Sequence, residues 1–134
     1  MFTSEIKVRV RYSETDRMGY VYYGNYAGYF EVGRVEALRQ LGLNYKDLEE
    51  GGIMLPVYEF GIKYLKPAHY DDLLTIRTSI TEMPGASIHF GYETLNEAGE
   101  LINVGNTSLV FINRETSKPV GAPKDFLEML EKYF

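Results

Sequence analysis

One stretch of this chain has a long helical period, and it carries residues ill suited to a free-standing helix. From about Gly24 to Leu41, at 100° per residue, Tyr26, Phe30, Gly33, Ala37 and Leu41 fall on one face, flanked by Tyr29 and Leu38. Glu31, Glu36 and Arg39 point elsewhere, and Glu31 stands three residues before Arg34, a favourable charge pair on a helix. Leu41-Gly42 reads as the C-terminal stop. Yet the segment keeps Gly24, Gly28 and Gly33, and each interior glycine costs about 1 kcal/mol relative to alanine. A helix that keeps them is expected to lie close against another backbone, the alternative being a weak, frayed first turn. The rest of the chain must therefore supply a surface that can bury an aromatic-rich, glycine-notched helix.

That surface reads as a sheet. At the start, Ile6, Val8, Val10 and Tyr12 alternate with Glu5, Lys7, Arg9 and Arg11, the period of a half-buried strand. After the helix, Asn44 to Glu50 reads as a short turn or helical piece, which Gly51-Gly52 ends. Four strand-like runs follow. Pro56 to Leu65 aligns Tyr58, Phe60, Ile62 and Tyr64; Leu73 to Glu82 aligns Leu74, Ile76, Thr78 and Ile80; Ser87 to Leu95 aligns Ile88, Phe90 and Tyr92. Leu101 to Ile112 is apolar on both faces and is expected to be central. Met83-Pro84-Gly85 and Asn96-Glu97-Ala98-Gly99 are hairpin-grade turns. A last amphipathic helix carries Phe126, Leu127, Leu130 and Tyr133 on one stripe. The expected class is α+β, with five antiparallel strands in one sheet packed on one long helix. With 134 residues, positions 1–134 are expected to form a single domain.

Composition narrows the function. There is no Cys, which removes disulfides, thiolate catalysis and thiolate metal sites together. A formal net charge of −5 argues against a general nucleic-acid binder, though a phosphate-bearing ligand needs only a local cluster of cations. The N-terminal residues show no apolar core of signal-peptide length, and no apolar run approaches the roughly 20 residues that cross a bilayer, so a cytoplasmic protein without membrane insertion is expected. His69 and His89 are the only histidines and lack metal-ligand spacing; both read as surface or structural. Nothing calls for a metal or a cofactor.

The unusual segment runs from Tyr12 to Tyr29. Five of the 12 tyrosines lie between Tyr20 and Tyr29, and the carboxylates Glu14 and Asp16 sit just before the helix start. A helix N-terminus offers unpaired N–H groups and a partial positive end, which can polarise a carbonyl. A nearby carboxylate can attack that carbonyl or activate water. Together they suffice for hydrolysing an activated acyl group. Asp before a helix is also a common cap or Asx-turn residue, and both roles stay open for Asp16.

The run Tyr12-x-Glu14-Thr15-Asp16-x-x-Gly19-x-Val21-Tyr22-Tyr23-x-Asn25-Tyr26 resembles the signature of the 4-hydroxybenzoyl-CoA thioesterase family. Lys66-Pro67-Ala68-x-Tyr70-Asp71-Asp72 and Thr107-x-Leu109-Val110-Phe111 followed by Lys118-Pro119 resemble its later turns and last strand. The resemblance implies the hotdog fold, a curved five-stranded sheet wrapped around one long helix, and hydrolysis of acyl-CoA thioesters to free acid and coenzyme A. It implies a homodimer or homotetramer with active sites between subunits. It puts the catalytic carboxylate on Asp16 and the N–H that polarises the thioester carbonyl on Tyr23. Gly24 would leave space for the thioester, and Glu31 would contact the acyl part from the partner's side. Where some members carry His, this chain has Tyr23. Leu55 stands where hydroxybenzoyl-specific members carry a small hydroxyl residue, which favours an apolar acyl group. Lys63, Lys66, Arg77, Arg114 and Lys118 are candidates for the coenzyme phosphates. The competing expectations are a hotdog dehydratase using a histidine, and a non-catalytic module binding acyl-CoA or an acyl carrier protein.

Overall fold

The structure is a computed structural model and describes residues 1–43 and 45–134. In chain order it contains β1 (Phe2–Arg9), a 3-10 turn (Tyr12–Glu14), α1 (Asn25–Gln40), α2 (Tyr45–Glu50), β2 (Ile53–Met54), β3 (Val57–Tyr64), β4 (Leu73–Ile80), β5 (Ser87–Leu95), β6 (Leu101–Val110), β7 (Ile112–Asn113) and α3 (Lys124–Glu131). Five strands form one antiparallel sheet in the order β1-β4-β5-β6-β3. The α+β class, the five antiparallel strands and the single long helix stand as expected. The short piece after α1 is helical over Tyr45–Glu50, whereas Asn44 lies outside the described residues.

The helix buries the face that its period marks. Tyr26, Tyr29, Phe30, Gly33, Ala37 and Leu38 are all buried, against Leu74, Ile76 and Ile80 of β4 and Ile88, Phe90 and Tyr92 of β5. The Phe30 ring stacks on Tyr92 with centroids 4.3 Å apart and planes 4° from parallel. Gly33 is where helix and sheet nearly touch: a Cβ there would lie 2.7 Å from Thr78 Oγ1 and 3.1 Å from Ile76 Cγ2. The sheet makes room as well, since a Cβ on Gly105 would lie 2.4 Å from Phe30 Cε2. Gly28 behaves otherwise; a Cβ there meets nothing within 4 Å.

Several expectations need correction. Tyr12 does not continue the apolar face of β1; the strand ends at Arg9 and the chain tightens into the 3-10 turn, leaving Tyr12 exposed with its ring edge against Tyr70. The run Leu101 to Ile112 is not one strand. β6 ends at Val110, and Phe111 swings its N–H to Ala86 O before Ile112–Asn113 pairs with Ile53–Met54 in a second, two-stranded sheet. β6 is internal to the sheet, with a neighbour along either edge, and the middle strand is β5. The Glu31–Arg34 ion pair does not form, because Arg34 turns inward to two tyrosine hydroxyls; Arg39 pairs with Glu36 instead. α3 closes one end, with Phe126 edge-on to Phe111 at 5.9 Å. Among the described residues no helix is long and apolar enough to cross a membrane.

Candidate active site

The loop before α1 is built by hydrogen bonds that account for most of its unusual sequence. Glu14 Oε1 accepts from Arg11 N (2.8 Å) and from the Tyr29 hydroxyl (2.9 Å), which fastens the 3-10 turn to α1. The Glu14 carbonyl accepts from Tyr22 N and from Asn25 Nδ2, each at 2.8 Å. Asn25 is thus a structural clamp at the helix start. The Ala68–Asp72 corner holds the loop from the other side: Val21 N donates to Ala68 O at 2.8 Å, and Tyr20 bridges to His69. The two sequence motifs therefore pack on one another.

Asp16 sits at the turn of this loop, half-buried. Its Oδ1 accepts from Met18 N (2.9 Å) and Tyr20 N (3.2 Å), an Asx-type turn that brings Gly19 to φ +80°. The structural role that the sequence left open is therefore real. It uses one oxygen only: Asp16 Oδ2 has no hydrogen-bond partner among the described residues.

At the helix start, the Tyr22 carbonyl accepts from Asn25 N at 2.9 Å, and the Tyr23 carbonyl accepts from the Tyr64 hydroxyl at 3.0 Å. In a trans peptide the N–H points opposite to its carbonyl. The N–H groups of Tyr23 and Gly24 consequently point away from these anchors, and neither has a partner among the described residues. These are the orphan donors of a helix N-terminus, held in place by the groups behind them.

Asp16 and Tyr23 line one cavity of about 320 Å³, walled by Met18, Val21, Tyr26 and Tyr64, with Lys66 among its residues. Burial, then the neighbouring Tyr64, push the Tyr26 hydroxyl up to about 12, and burial pushes Tyr64 up as well. These tyrosines are neutral phenols at ordinary pH, able to donate and accept but not to act as anions. Asp16 is the one carboxylate among the described lining residues. Lys66 forms an ion pair with Glu100.

The other site candidates are not in this cavity within one chain. Glu31 and Leu55 come together in a second cavity of about 410 Å³ beside α2. Gly24 and Gly28 line a groove against β1, with Lys7, Arg9 and Arg11 on its rim. Arg77 is held by Glu5 and Glu93 at 2.9 and 3.3 Å. His89 bonds Ser108 Oγ through Nδ1 at 2.7 Å, and His69 stands edge-on to Tyr20 at 5.4 Å without lining the Asp16 cavity. Sequence reading missed Tyr64, whose hydroxyl anchors Tyr23; only its place in the β3 alternation marked it, and that reads as core.

Comparison with known proteins gives the family and the fold. A family model described as the thioesterase-like superfamily matches residues 10–130. The Bacillus subtilis (strain 168) protein named "Putative acyl-CoA thioesterase YneP" is 38% identical over 126 residues, covering 94% of this chain and 91% of its own. The acyl-CoA thioester hydrolase YbgC of Escherichia coli O6:H1 is 32% identical over 120 residues, 90% of either chain. The crystal structure of a DHNA-CoA thioesterase from Staphylococcus aureus superposes with a TM-score of 0.94 at 35% identity, over 99% of this chain and 91% of that one. The loop and helix start that carry Asp16 and Tyr23 fall inside the matched span, and the chain belongs to the thioesterase-like superfamily, with its hotdog fold.

Proposed function

We propose that this chain hydrolyses acyl-CoA thioesters to free acid and coenzyme A in the Asp16 cavity. One observation carries the reading: a carboxylate with an uncommitted oxygen and a helix-start N–H without a partner belong to residues lining the same largely apolar cavity. The names of the relatives support the acyl-CoA class.

The thioester carbonyl oxygen accepts from Tyr23 N–H, aided by the helix end; one such donor is worth about 3–4 kcal/mol where negative charge develops on that oxygen. Asp16 Oδ2 then acts in one of two ways. It attacks the carbonyl carbon, expels the thiolate and forms an anhydride that water opens, or it takes a proton from a water molecule that attacks directly. Either route consumes one water, passes a proton to the departing thiolate and returns the carboxylate. Asp16 Oδ1, held by two backbone N–H groups, fixes the plane of the carboxylate. Leu55 favours an apolar acyl group.

The working unit in this reading is a homodimer, or a homotetramer built from it. β3 is an edge strand whose outer side is unpaired and which exposes Val57, Tyr58 and Phe60, a surface that pairing with a second copy would cover. Edge pairing would let Glu31 and Leu55 of one subunit complete the Asp16 cavity of the other. His69 lies outside the cavity, which favours hydrolysis over the histidine-dependent dehydratase.

The test is thiol release from short-chain, long-chain and aryl acyl-CoA thioesters by wild type and Asp16→Asn, with a thiol-trapping dye that sees no protein background. A folded variant at least about a hundredfold slower is expected, the scale of a positioned general base. Equal rates would refute the role of Asp16. Tight acyl-CoA binding without thiol release from wild type would favour the binding module, and the same result with only carrier-linked chains cleaved would name the carrier.

A further inference from the structure

Arg34 is the one arginine among the described residues that is buried, at 9% exposure. Its Nε donates to the Tyr45 hydroxyl at 3.2 Å and its Nη1 to the Tyr92 hydroxyl at 3.4 Å. No carboxylate comes within ion-pair distance, and Nη2 has no partner among the described residues. Burial pushes the hydroxyls of both tyrosines up, so they are neutral and supply no counter-charge. A buried charge is costly unless it is paired.

A second donor is also uncommitted. The Tyr92 hydroxyl is shared with Thr107 Oγ1 at 2.7 Å, but the Tyr45 hydroxyl only accepts, and its proton has no acceptor among the described residues. Arg34 and Tyr45 both line the cavity of about 410 Å³, together with Glu31, Val35, Arg39, Lys46, Glu49 and Leu55. Arg39 is tied to Glu36, and Glu31 and Glu49 are exposed and do not reach Arg34. The wall thus combines one unpaired buried cation, one free hydroxyl donor and apolar surface from Val35 and Leu55, with the exposed charges of Lys46, Glu31 and Glu49 also lining it.

We propose that this cavity binds a carboxylate, held between Arg34 and the Tyr45 hydroxyl, with the apolar part of the molecule against Val35 and Leu55. A guanidinium edge matches a carboxylate in shape and can hold both its oxygens. The carboxylate has two possible sources: a free acid, or the far end of an acyl group whose thioester sits in a partner's Asp16 cavity. The second source rests on the function proposed above; the first does not.

Calorimetry with hexanoate and benzoate against hexanamide and benzamide decides the site. The acids are expected to bind at least about tenfold tighter than their amides, since hydrogen bonds between charged groups are stronger than those to a neutral amide. Arg34→Gln should erase that difference, and Tyr45→Phe should weaken the acids several-fold. If Arg34→Gln does not fold, the acid-to-amide ratio of wild type and the Tyr45→Phe loss still decide. Amides that bind as tightly as acids, or acids indifferent to both substitutions, would overturn the proposal. The source follows from binding of adipoyl-CoA and hexanoyl-CoA to Asp16→Asn. Tighter adipoyl-CoA, with the advantage lost on adding Arg34→Gln, assigns the carboxylate to the acyl group. Equal thioesters, with hexanoate still held by Arg34, assign it to a free acid. A failure of thiol release leaves the acid-to-amide comparison intact and bears on the hydrolase reading alone.

Discussion

Gly28 and Gly33 lie five residues apart on α1, and replacing each by alanine should shift stability in opposite directions. Alanine removes the mid-helix glycine penalty at both positions, a gain of about 1 kcal/mol. At Gly28 a Cβ meets nothing within 4 Å, so the subunit keeps the gain. At Gly33 the new methyl would stand 2.7 Å from Thr78 Oγ1 and 3.1 Å from Ile76 Cγ2. Neither neighbour yields easily: both are fully buried or nearly so, both are β-branched with stiff χ1, and both belong to β4, which is paired on either side. Overpacking costs about 1–3 kcal/mol, and two unyielding neighbours this close put Gly33→Ala in the upper part of that range, about 2–3 kcal/mol. Net of the propensity gain, Gly33→Ala should lose about 1–2 kcal/mol, so the two variants differ by about 2–3 kcal/mol. Urea unfolding at several protein concentrations reads both values and separates subunit stability from association. Gly33→Ala within about 0.5 kcal/mol of wild type would refute the close approach. A loss at Gly28→Ala that grows with dilution would instead place the Gly28 face against a partner.

The remaining predictions concern the site. Asp16→Asn keeps an oxygen for the Met18 and Tyr20 N–H groups and should cost less than about 1 kcal/mol in urea unfolding, whereas Asp16→Ala loses both bonds and should cost about 1–2 kcal/mol. If Asn and Ala are equally destabilising, Oδ1 does not hold the turn. Tyr26, raised from 10.0 to about 12 and 2% exposed, stays protonated in the folded state at pH values where the unfolded chain ionises. Its contribution is full below pH about 10 and falls away as the pH rises towards 12, a loss on the order of 2 kcal/mol; stability measured against pH should therefore drop less steeply in that window for Tyr26→Phe than for wild type. If active sites form between subunits, mixing inactive Asp16→Asn with inactive Leu55→Trp should recover about a quarter of wild-type thiol release per site, because half the dimers are mixed and each holds one intact site. No recovery would place the whole site within one chain.

What the sequence made legible follows from which interactions are periodic. The buried face of α1 repeats every turn, and each strand alternates, so burial of Phe30, Ala37, Ile76 and Phe90 could be read before any coordinates. The need of Gly33 for a close neighbour was readable from its cost alone, but Gly28 carries the same cost without the neighbour. Sequence has no way to tell those two glycines apart, because the difference lies in what β4 places opposite each. Arg34 was misread for a similar reason. Its spacing from Glu31 suits an exposed pair, yet it lies beside the buried stripe, and only tertiary packing brings Tyr45 and Tyr92 to it. Asp16 and Tyr23 could be marked as chemically useful. That they share a cavity depends on Tyr64 and the Lys66–Pro67 corner, which come from more than 40 residues later in the chain.

The division of the candidate residues between two cavities bears on how such a site must work. Arg34 lies eleven residues beyond Tyr23, which at ~1.5 Å of rise per residue is about 16 Å along α1. An acyl group anchored at the Tyr23 end would have to run the length of the helix to touch Arg34, Glu31 or Leu55 of the same chain. The two cavities share no lining residue, and Phe30, between Tyr26 and Arg34 in the helix sequence, is fully buried in the core. In the function proposed above, the carboxylate and N–H of the first cavity and Glu31 and Leu55 of the second serve one substrate across two copies of the chain. In that proposal a second copy lays its α1 and Leu55 segment over the first cavity, across the unpaired β3 edge. The exposed tyrosines at that edge, Tyr58 and Tyr64, and the 64% exposed Tyr23 are the surfaces that such pairing would cover.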